Sequence, residues 1–155
     1  FARNPNGWLA FIGKPGCGKT HLAAAIANYR YRMGEPTILV TVADLLDYLR
    51  AGFSPTPTTS FEKRFAELKT VPLLVMDQLD LANASSWSLE KLRQIINHRY
   101  VARLPTVFTS AQEFNHIDPA IRSRLADVRR SRVFFVLASD YKGGGPGTTR
   151  RKVSL

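Results

Sequence analysis

Short apolar runs alternate along this chain with stretches in which apolar residues recur every three or four positions. The runs predict strands at Trp8–Ile12, Thr37–Val42, Leu73–Met76, Thr106–Thr109 and Val133–Leu137. The recurring positions predict helices at Lys19–Met33, at Ala43–Arg50, from the Ser60 cap through Phe61, Phe65 and Leu68, at Trp87–Tyr100, and after the Asp118-Pro119 cap. Strands that are apolar on both faces and separated by helices indicate a parallel sheet covered on both sides, which is a three-layer α/β fold.

The first predicted helix carries its larger apolar residues on one side. Leu22, Ala25, Ile26 and Tyr29 share that face at helical spacing. Residues 54–59 are rich in Pro and Thr and are predicted to form a loop.

The length of 155 residues fits one domain. Residues 1–142 are predicted to fold as that domain, and residues 143–155, which are rich in Gly and basic residues, are predicted to form a flexible tail. Because the chain starts at Phe1 without an initiator Met, we expect a fragment of a longer protein.

The chain is strongly basic, with a formal net charge of +10 and a pI near 10.3. This balance favours a polyanionic partner, nucleic acid first, although oligomer interfaces also carry excess arginine. The apolar runs are far too short to cross a membrane, and no leader segment is visible. A single cysteine, Cys17, cannot form an internal disulfide, so the expected location is the cytoplasm.

The first predicted strand leads into a glycine-rich segment that fits the G-x-x-x-x-G-K-[ST] pattern. The segment reads Gly13-Lys14-Pro15-Gly16-Cys17-Gly18-Lys19-Thr20. Glycines at these positions let successive N–H groups turn inward around a phosphate, and the start of the next helix adds its positive end. The predicted nucleotide-binding residues are these eight and His21. Lys19 should reach the β- and γ-phosphates of ATP, and Thr20 should bind Mg²⁺.

The strand at Leu73–Met76 ends in Asp77, a second predicted Mg²⁺ residue. Many ATPases of this layout place another acid directly afterwards to activate the attacking water. Here that residue is Gln78, which can hydrogen-bond a water but cannot accept its proton. Asp80 is a less favoured substitute, because side chains two residues apart point differently. We therefore expect ATP binding to survive this change better than hydrolysis.

Several segments together resemble the AAA+ ATPases of the DnaC/DnaI helicase-loader and IstB transposition-helper group. They are Gly7-Trp8-Leu9, Gly16–Ala23, Leu73–Asp77, Ile95–Tyr100, Leu104–Ser110, Ser123-Arg124-Leu125 and Asp140-Tyr141. The resemblance implies an ASCE-type sheet of five parallel strands in the order 5-1-4-3-2, and assembly of identical subunits with ATP at their boundaries. It also implies that Arg124 is an arginine finger for a neighbour's ATP; a solvated or DNA-facing arginine is the alternative.

Two further positions depart from the pattern of that group. Ala111 stands where an asparagine usually senses the γ-phosphate, and Lys142 stands where an arginine is usual. Together with Gln78 these changes predict slow hydrolysis or none. Catalytic roles, if retained, fall on Lys19, Asp77, Gln78 and Arg124.

In this group the helices between the second and third strands touch single-stranded DNA. The matching stretch contains Arg50, Phe53, Lys63 and Arg64, in which cations follow phosphates and an aromatic ring stacks on bases. Phe53 is the better stacking candidate, because Phe61 has the spacing of a core residue.

The preferred function is ATP-dependent assembly on DNA to load or remodel a replicative helicase. An IstB-like transposition helper and a nucleotide-gated structural subunit without catalysis remain alternatives. A small-molecule kinase is less favoured, because no arginine-rich lid or acceptor pocket is evident.

Overall fold

The fold is a five-stranded parallel sheet between helical layers, seen in a computed structural model that describes residues 1–53, 60–81 and 84–139. The strands are β1 (Trp8–Ile12), β2 (Thr37–Thr41), β3 (Leu73–Asp77), β4 (Thr106–Ser110) and β5 (Ser131–Phe135). The helices are α1 (Lys19–Arg32), α2 (Val42–Arg50), α3 (Phe61–Thr70), α4 (Ser86–Val101) and α5 (Pro119–Leu125). The sheet order β2-β3-β4-β1-β5 confirms the predicted order.

The two faces of the sheet bury different sets of residues. Alternate residues of β1 point to opposite faces, so Trp8 and Ala10 pack with α2, α3, α4 and α5, whereas Leu9 and Phe11 pack with α1. The central strands β1, β3 and β4 are buried along their whole length. The predicted three-layer α/β architecture is therefore confirmed.

Two details of the sequence prediction were wrong. Helix α1 packs on the sheet through Ala23 and Ala27, with Ile26 of the predicted apolar face partly buried beside them. Leu22 and Tyr29 of that face are exposed, because small side chains allow the closest approach of helix to sheet. Strand β5 begins and ends two residues earlier than predicted. Among the described residues β5 is an edge strand that pairs with β1; it starts at polar Ser131 and Arg132, and the apolar run continues past its end to Leu137, so apolarity misplaces both bounds.

Buried Arg99 ties α4 to the amino end of the sheet. Its guanidinium donates to the Val71 carbonyl at 2.8 Å, to the Pro105 carbonyl at 2.7 Å and to the Thr106 hydroxyl at 2.9 Å. Burial lowers the pKa of Arg99 to about 10. The Val71 carbonyl follows the end of α3 and the Pro105 carbonyl precedes β4, so the Arg99 side chain holds both of these connecting segments against α4.

Capping side chains begin four of the described helices, and in α2 the Thr41 hydroxyl accepts from the Asp44 N–H. Ser60 accepts from the Lys63 N–H, Ser85 accepts from the Ser88 N–H, and Asp118 accepts from the first turn of α5. Among the helices that the structure describes, none is both long and apolar enough to span a lipid bilayer.

Candidate nucleotide-binding site

The glycine-rich segment forms a tight turn between β1 and α1. Gly16 and Gly18 have φ angles of 80° and 95°, which L-residues with a side chain rarely adopt. Helix α1 starts at Lys19 with no side-chain cap and no acidic residue in its first turn. The N–H groups at this end are thus available to an anion, and the helix dipole favours negative charge there.

Gly13 lies at the base of this loop in contact with the segment after β5. A Cβ at this position would come within 2.4 Å of the Val136 carbonyl oxygen and 3.1 Å of Cys17 Sγ. The Gly13 N–H donates to the Ser110 carbonyl at 3.2 Å, which joins the loop to the end of β4. Gly13 is therefore required for close packing, and Cys17 is buried beneath the loop.

Lys19 directs its ammonium back into the loop. The residue is 7% exposed, its Nζ donates to the Lys14 carbonyl at 2.7 Å, and it lies 3.6 Å from Cys17 Sγ. The side chains of Lys14 and His21 are exposed at the rim. A buried cation beside the uncapped start of α1 is suited to a polyphosphate.

Thr20 and Asp77 meet across the sheet's carboxyl edge. The Thr20 hydroxyl lies 3.0 Å and 3.1 Å from the two carboxylate oxygens of Asp77, which is 3% exposed. The sequence alone placed both in one metal site, and the structure brings them into direct contact. Hydroxyl and carboxylate oxygens are hard donors of the kind that Mg²⁺ prefers.

Thr109, at the end of β4, is a site residue that the sequence reasoning missed. Its hydroxyl donates to Asp77 Oδ1 at 2.5 Å and accepts from the Gln78 N–H at 2.9 Å. It therefore fixes the Asp77 carboxylate and the turn after β3 together. The sequence does show a hydroxyl residue near the end of a predicted strand. Its proximity to Asp77, however, depends on the register between the two strands, which the sequence alone does not give.

The residues expected to control hydrolysis lie at the same edge. Gln78 is exposed and has a φ of 56°, so the chain turns sharply after Asp77. Asp80 is exposed and accepts from Gln112 Nε2 at 2.9 Å. Ala111 is exposed at the end of β4 and offers no polar side chain.

Arg124, the expected arginine finger, lies on α5 and contacts α4. Its Nη2 donates to Asn97 Oδ1 and its Nη1 donates to the Ala120 carbonyl, each at 2.6 Å. Its guanidinium also lies over the Tyr100 ring, 5.6 Å from the centroid. Among the described residues, these side-chain contacts of Arg124 are with α4 and α5, and none of them is with the glycine-rich loop of the same chain.

The residues expected to contact DNA divide into an exposed group and one buried residue. Phe53 is 60% exposed and stacks on Phe61 at 4.5 Å between centroids, and Lys63 is exposed on α3. Arg50 is exposed and lies over the Trp87 ring at 5.5 Å.

The prediction that Arg64 contacts DNA was wrong for this conformation. Arg64 is 7% exposed, its Nη1 donates to the Tyr48 carbonyl at 2.5 Å, and its guanidinium lies 4.5 Å from the centroid of the Tyr48 ring. Residues 54–59, the Asp140-Tyr141-Lys142 segment and the tail at 143–155 lie outside the described residues.

A glycine-rich loop that fits the P-loop pattern lies at the carboxyl edge of a sheet ordered 5-1-4-3-2. This combination places the protein in the class of P-loop ATP-binding domains of the AAA+ type. A comparison of the sequence with protein families supports this class and narrows it. The chain belongs to the family described as IstB-like ATP binding protein, which matches residues 2–128.

Individual relatives carry the name of helicase loaders. The replicative helicase loader DnaC of Buchnera aphidicola subsp. Acyrthosiphon pisum is 33% identical over 120 residues, covering 77% of this chain and 49% of that protein. DnaC of Escherichia coli K12 is 31% identical over 120 residues, which again cover 77% of this chain and 49% of that protein. The chain therefore spans about half the length of the curated relatives that it matches.

Solved structures agree with the fold. The crystal structure of the DnaC helicase loader superimposes with a TM-score of 0.72 at 24% identity, covering 88% of this chain and 84% of that one. The crystal structure of DnaI gives a TM-score of 0.67 at 26% identity, with 88% and 75% covered. The expected resemblance to helicase loaders is confirmed, and this chain is a helicase-loader-like AAA+ ATP-binding domain.

Proposed function

We propose that this domain binds ATP with Mg²⁺ and uses the bound nucleotide to assemble with further copies on single-stranded DNA, where it loads or remodels a replicative helicase. The observation that carries the proposal is the contact between Thr20 and Asp77, which joins the glycine-rich loop to the end of β3. The relatives named as helicase loaders support the biological setting.

The residues at the loop fit a magnesium nucleotide. Thr20 and Asp77 would hold the ion directly or through water, and Thr109 keeps the Asp77 carboxylate oriented towards Thr20. When bound, Mg²⁺ neutralises charge on the β- and γ-phosphates. Lys19 supplies a second cation from inside the loop, and the N–H groups at the start of α1 bind phosphate oxygens.

Hydrolysis is proposed to be slow. Gln78 can orient a water through its amide but cannot remove the proton, and Ala111 offers no donor to the γ-phosphate. Loss of general-base assistance alone typically costs a factor of about 10² to 10⁴ in rate. ATP would then act chiefly as a switch for assembly, which also keeps a nucleotide-gated structural subunit without catalysis as the second candidate.

Single-stranded DNA is proposed to bind beside α3. Phe53 presents an exposed ring on top of Phe61, and Lys63 supplies exposed positive charge on α3. Arg50 is also exposed, but it pairs with Asp47 at 2.7 Å, so DNA phosphates would have to compete with that carboxylate. Aromatic stacking is tolerant of sequence and contributes about 1–3 kcal/mol per base. Arg64 is left out of this surface because it is buried.

The remaining parts of the proposal concern assembly and location. Arg124 would reach the ATP of a neighbouring subunit, so that the nucleotide lies at the subunit boundary. A reducing cytoplasm suits a chain with one buried cysteine. The transposition-helper alternative is not favoured, because the named relatives are helicase loaders.

The test is retention of the partner replicative helicase on circular single-stranded DNA by the full-length protein that contains this domain. We expect retention to require ATP and to be lost with Lys19→Ala. Phe53→Ala should weaken DNA binding about tenfold, and Lys63→Gln should lower the slope of log affinity against log salt by about 0.7. Arg103→Gln, which removes an exposed cation after α4, is the matched control for Lys63→Gln and should leave the salt slope unchanged. Retention that ignores Lys19→Ala would overturn the proposal.

A further inference from the structure

Arg124 is folded back along its own helix. Its Nη1 donates to the carbonyl of Ala120, one turn earlier in α5, at 2.6 Å. An arginine that reaches across a subunit boundary must extend away from its helix, so this side chain is in a retracted conformation. The second hydrogen bond, from Nη2 to Asn97 Oδ1 at 2.6 Å, comes from α4 and is the link that holds the guanidinium against the neighbouring helix.

Tyr100 forms the floor beneath the retracted guanidinium. The centroid of its ring lies 5.6 Å from the Arg124 guanidinium, and the Arg130 guanidinium lies 4.8 Å from the same centroid. The Tyr100 hydroxyl donates to Asp127 at 2.5 Å, which fixes the ring. Asn97 and Tyr100 lie one turn apart on α4, so both contacts to Arg124 come from a single rigid element.

The retracted conformation leaves hydrogen-bonding capacity unused. Arg124 Nε is buried and has no hydrogen-bond partner among the described residues. A groove of about 560 Å³ between α4 and α5 is lined by Asn97, Ile121 and Arg124 among others. An unsatisfied buried donor raises the free energy of this state, and the groove gives the side chain room to leave.

We propose that Asn97 is a positioning residue that holds Arg124 retracted in the free subunit and releases it when a neighbour's γ-phosphate competes for the guanidinium. This inference rests on the proposed function, because it assumes that Arg124 engages a neighbour's ATP. The Asn97 side chain thereby sets the protein concentration at which ATP drives assembly. Asn97 lies on α4 and is not one of the residues assigned to the nucleotide site, so the ATP affinity of the monomer should not depend on it.

The test measures ATP-dependent assembly by sedimentation, using a non-hydrolysable ATP analogue with Mg²⁺ and the full-length protein. Asn97→Ala removes the acceptor and should lower the assembly midpoint about threefold to tenfold, the range of one exposed hydrogen bond to a charged group. Asn97→Asp strengthens the acceptor and should raise the midpoint by a similar factor. Nucleotide affinity measured at a concentration below assembly should be unchanged in both variants.

Gln94→Ala is the matched control, because Gln94 lies one turn earlier on α4, lines the same groove and hydrogen-bonds Glu90 and Lys91 rather than Arg124. Its midpoint should equal that of the unmodified protein. A second measurement uses the subunit alone: side-chain nitrogen NMR of Arg124 should show hindered rotation of the guanidinium, and Asn97→Ala should release it.

The outcomes separate this inference from the proposed function. If Arg124→Ala abolishes assembly while Asn97→Ala leaves both the midpoint and the guanidinium rotation unchanged, the role of Asn97 is wrong and the proposed function stands. If Arg124→Ala assembles like the unmodified protein, the neighbour-directed role of Arg124 fails and the inference falls with it. A damaged fold would raise the midpoint of Asn97→Ala, so a lowered midpoint supports the inference specifically.

Discussion

Thr109 donates its hydroxyl to Asp77 Oδ1 over 2.5 Å, where the neighbouring parallel strands β3 and β4 end. Thr20 approaches the same carboxylate from α1 at 3.0 Å. Asp77 is thus held from two sides by hydroxyl groups, one from the phosphate loop and one from the sheet. The carboxylate is preorganised before any nucleotide arrives, which lowers the cost of ordering it on binding.

Removing the Thr109 hydroxyl should impair Mg²⁺-dependent nucleotide binding. Thr109→Val leaves the Gln78 N–H without its acceptor and frees the Asp77 carboxylate to rotate. We expect ATP affinity in Mg²⁺ to fall about tenfold and the free energy of unfolding to fall by about 1–3 kcal/mol. Calorimetric titration measures the first and denaturant unfolding the second. Thr109→Ser keeps the hydroxyl and should bind nearly as well as the native protein; equal losses in both variants would refute the role of the hydroxyl.

Restoring an acid after Asp77 should increase ATP turnover. Gln78→Glu supplies a group that can accept a proton from water, and turnover should rise at least tenfold. Adding Ala111→Asn should raise it further by providing a donor to the γ-phosphate. Steady-state phosphate release measures both variants, with Asp77→Asn added as the inactive background. A native protein that already turns over as fast as Gln78→Glu would show that the slow-hydrolysis proposal is wrong.

Arg99 should be among the residues most costly to remove. Arg99→Ala leaves the Val71 and Pro105 carbonyls and the Thr106 hydroxyl without their donor in a buried environment. The expected loss in the free energy of unfolding is about 3–5 kcal/mol. Arg103→Ala, four residues later and exposed, should change it by less than about 0.5 kcal/mol. Chemical denaturation compares the two, and similar small losses would contradict the structural role of Arg99.

Asp118 should make a pH-dependent contribution to stability. Burial raises the pKa of Asp118, but the Arg93 guanidinium and the N–H groups of Ile121 and Ala120 outweigh it, so the pKa lies below its usual value. The folded state therefore holds fewer protons than the unfolded state as the pH falls below about 4. The stabilisation is complete above that pH and is lost as the pH drops through the folded pKa.

Two substitutions test this contribution. Asp118→Ala should cost about 1–2 kcal/mol near neutral pH, since the cap of α5 is lost, and its difference from the native protein should shrink as the pH falls below about 4. Asp118→Asn keeps a capping oxygen and should cost less. A difference between Asp118→Ala and the native protein that stays constant from pH 7 to pH 3 would show that ionised Asp118 is not stabilised by folding.

The sheet and the phosphate loop could be predicted from the sequence because each follows from local rules. The glycine spacing requires particular backbone angles, and Gly16 and Gly18 adopt them. Of the predicted apolar face of α1, Ile26 packs against the sheet but Leu22 is exposed, because the close approach of the helix favours the smaller Ala23 at the contact.

The other gaps come from long-range packing. Arg64 is a cation on a helix, and only the position of Tyr48 shows that it is buried rather than free for DNA. Thr109 joins the site through the register between β3 and β4. The contact of Asn97 with Arg124 depends on how α4 packs against α5, which no local pattern of residues encodes.

The central claim is that Lys19 and the loop around it bind the phosphates of ATP. Equilibrium titration of the purified protein with ATP and Mg²⁺ tests this most directly, with Lys19→Ala as the test variant and Arg32→Ala as the control, because Arg32 is an exposed cation at the opposite end of α1. The account predicts saturable binding whose affinity falls about 100-fold in Lys19→Ala and changes little in Arg32→Ala. Absence of binding, or equal affinity in Lys19→Ala and the native protein, would contradict it.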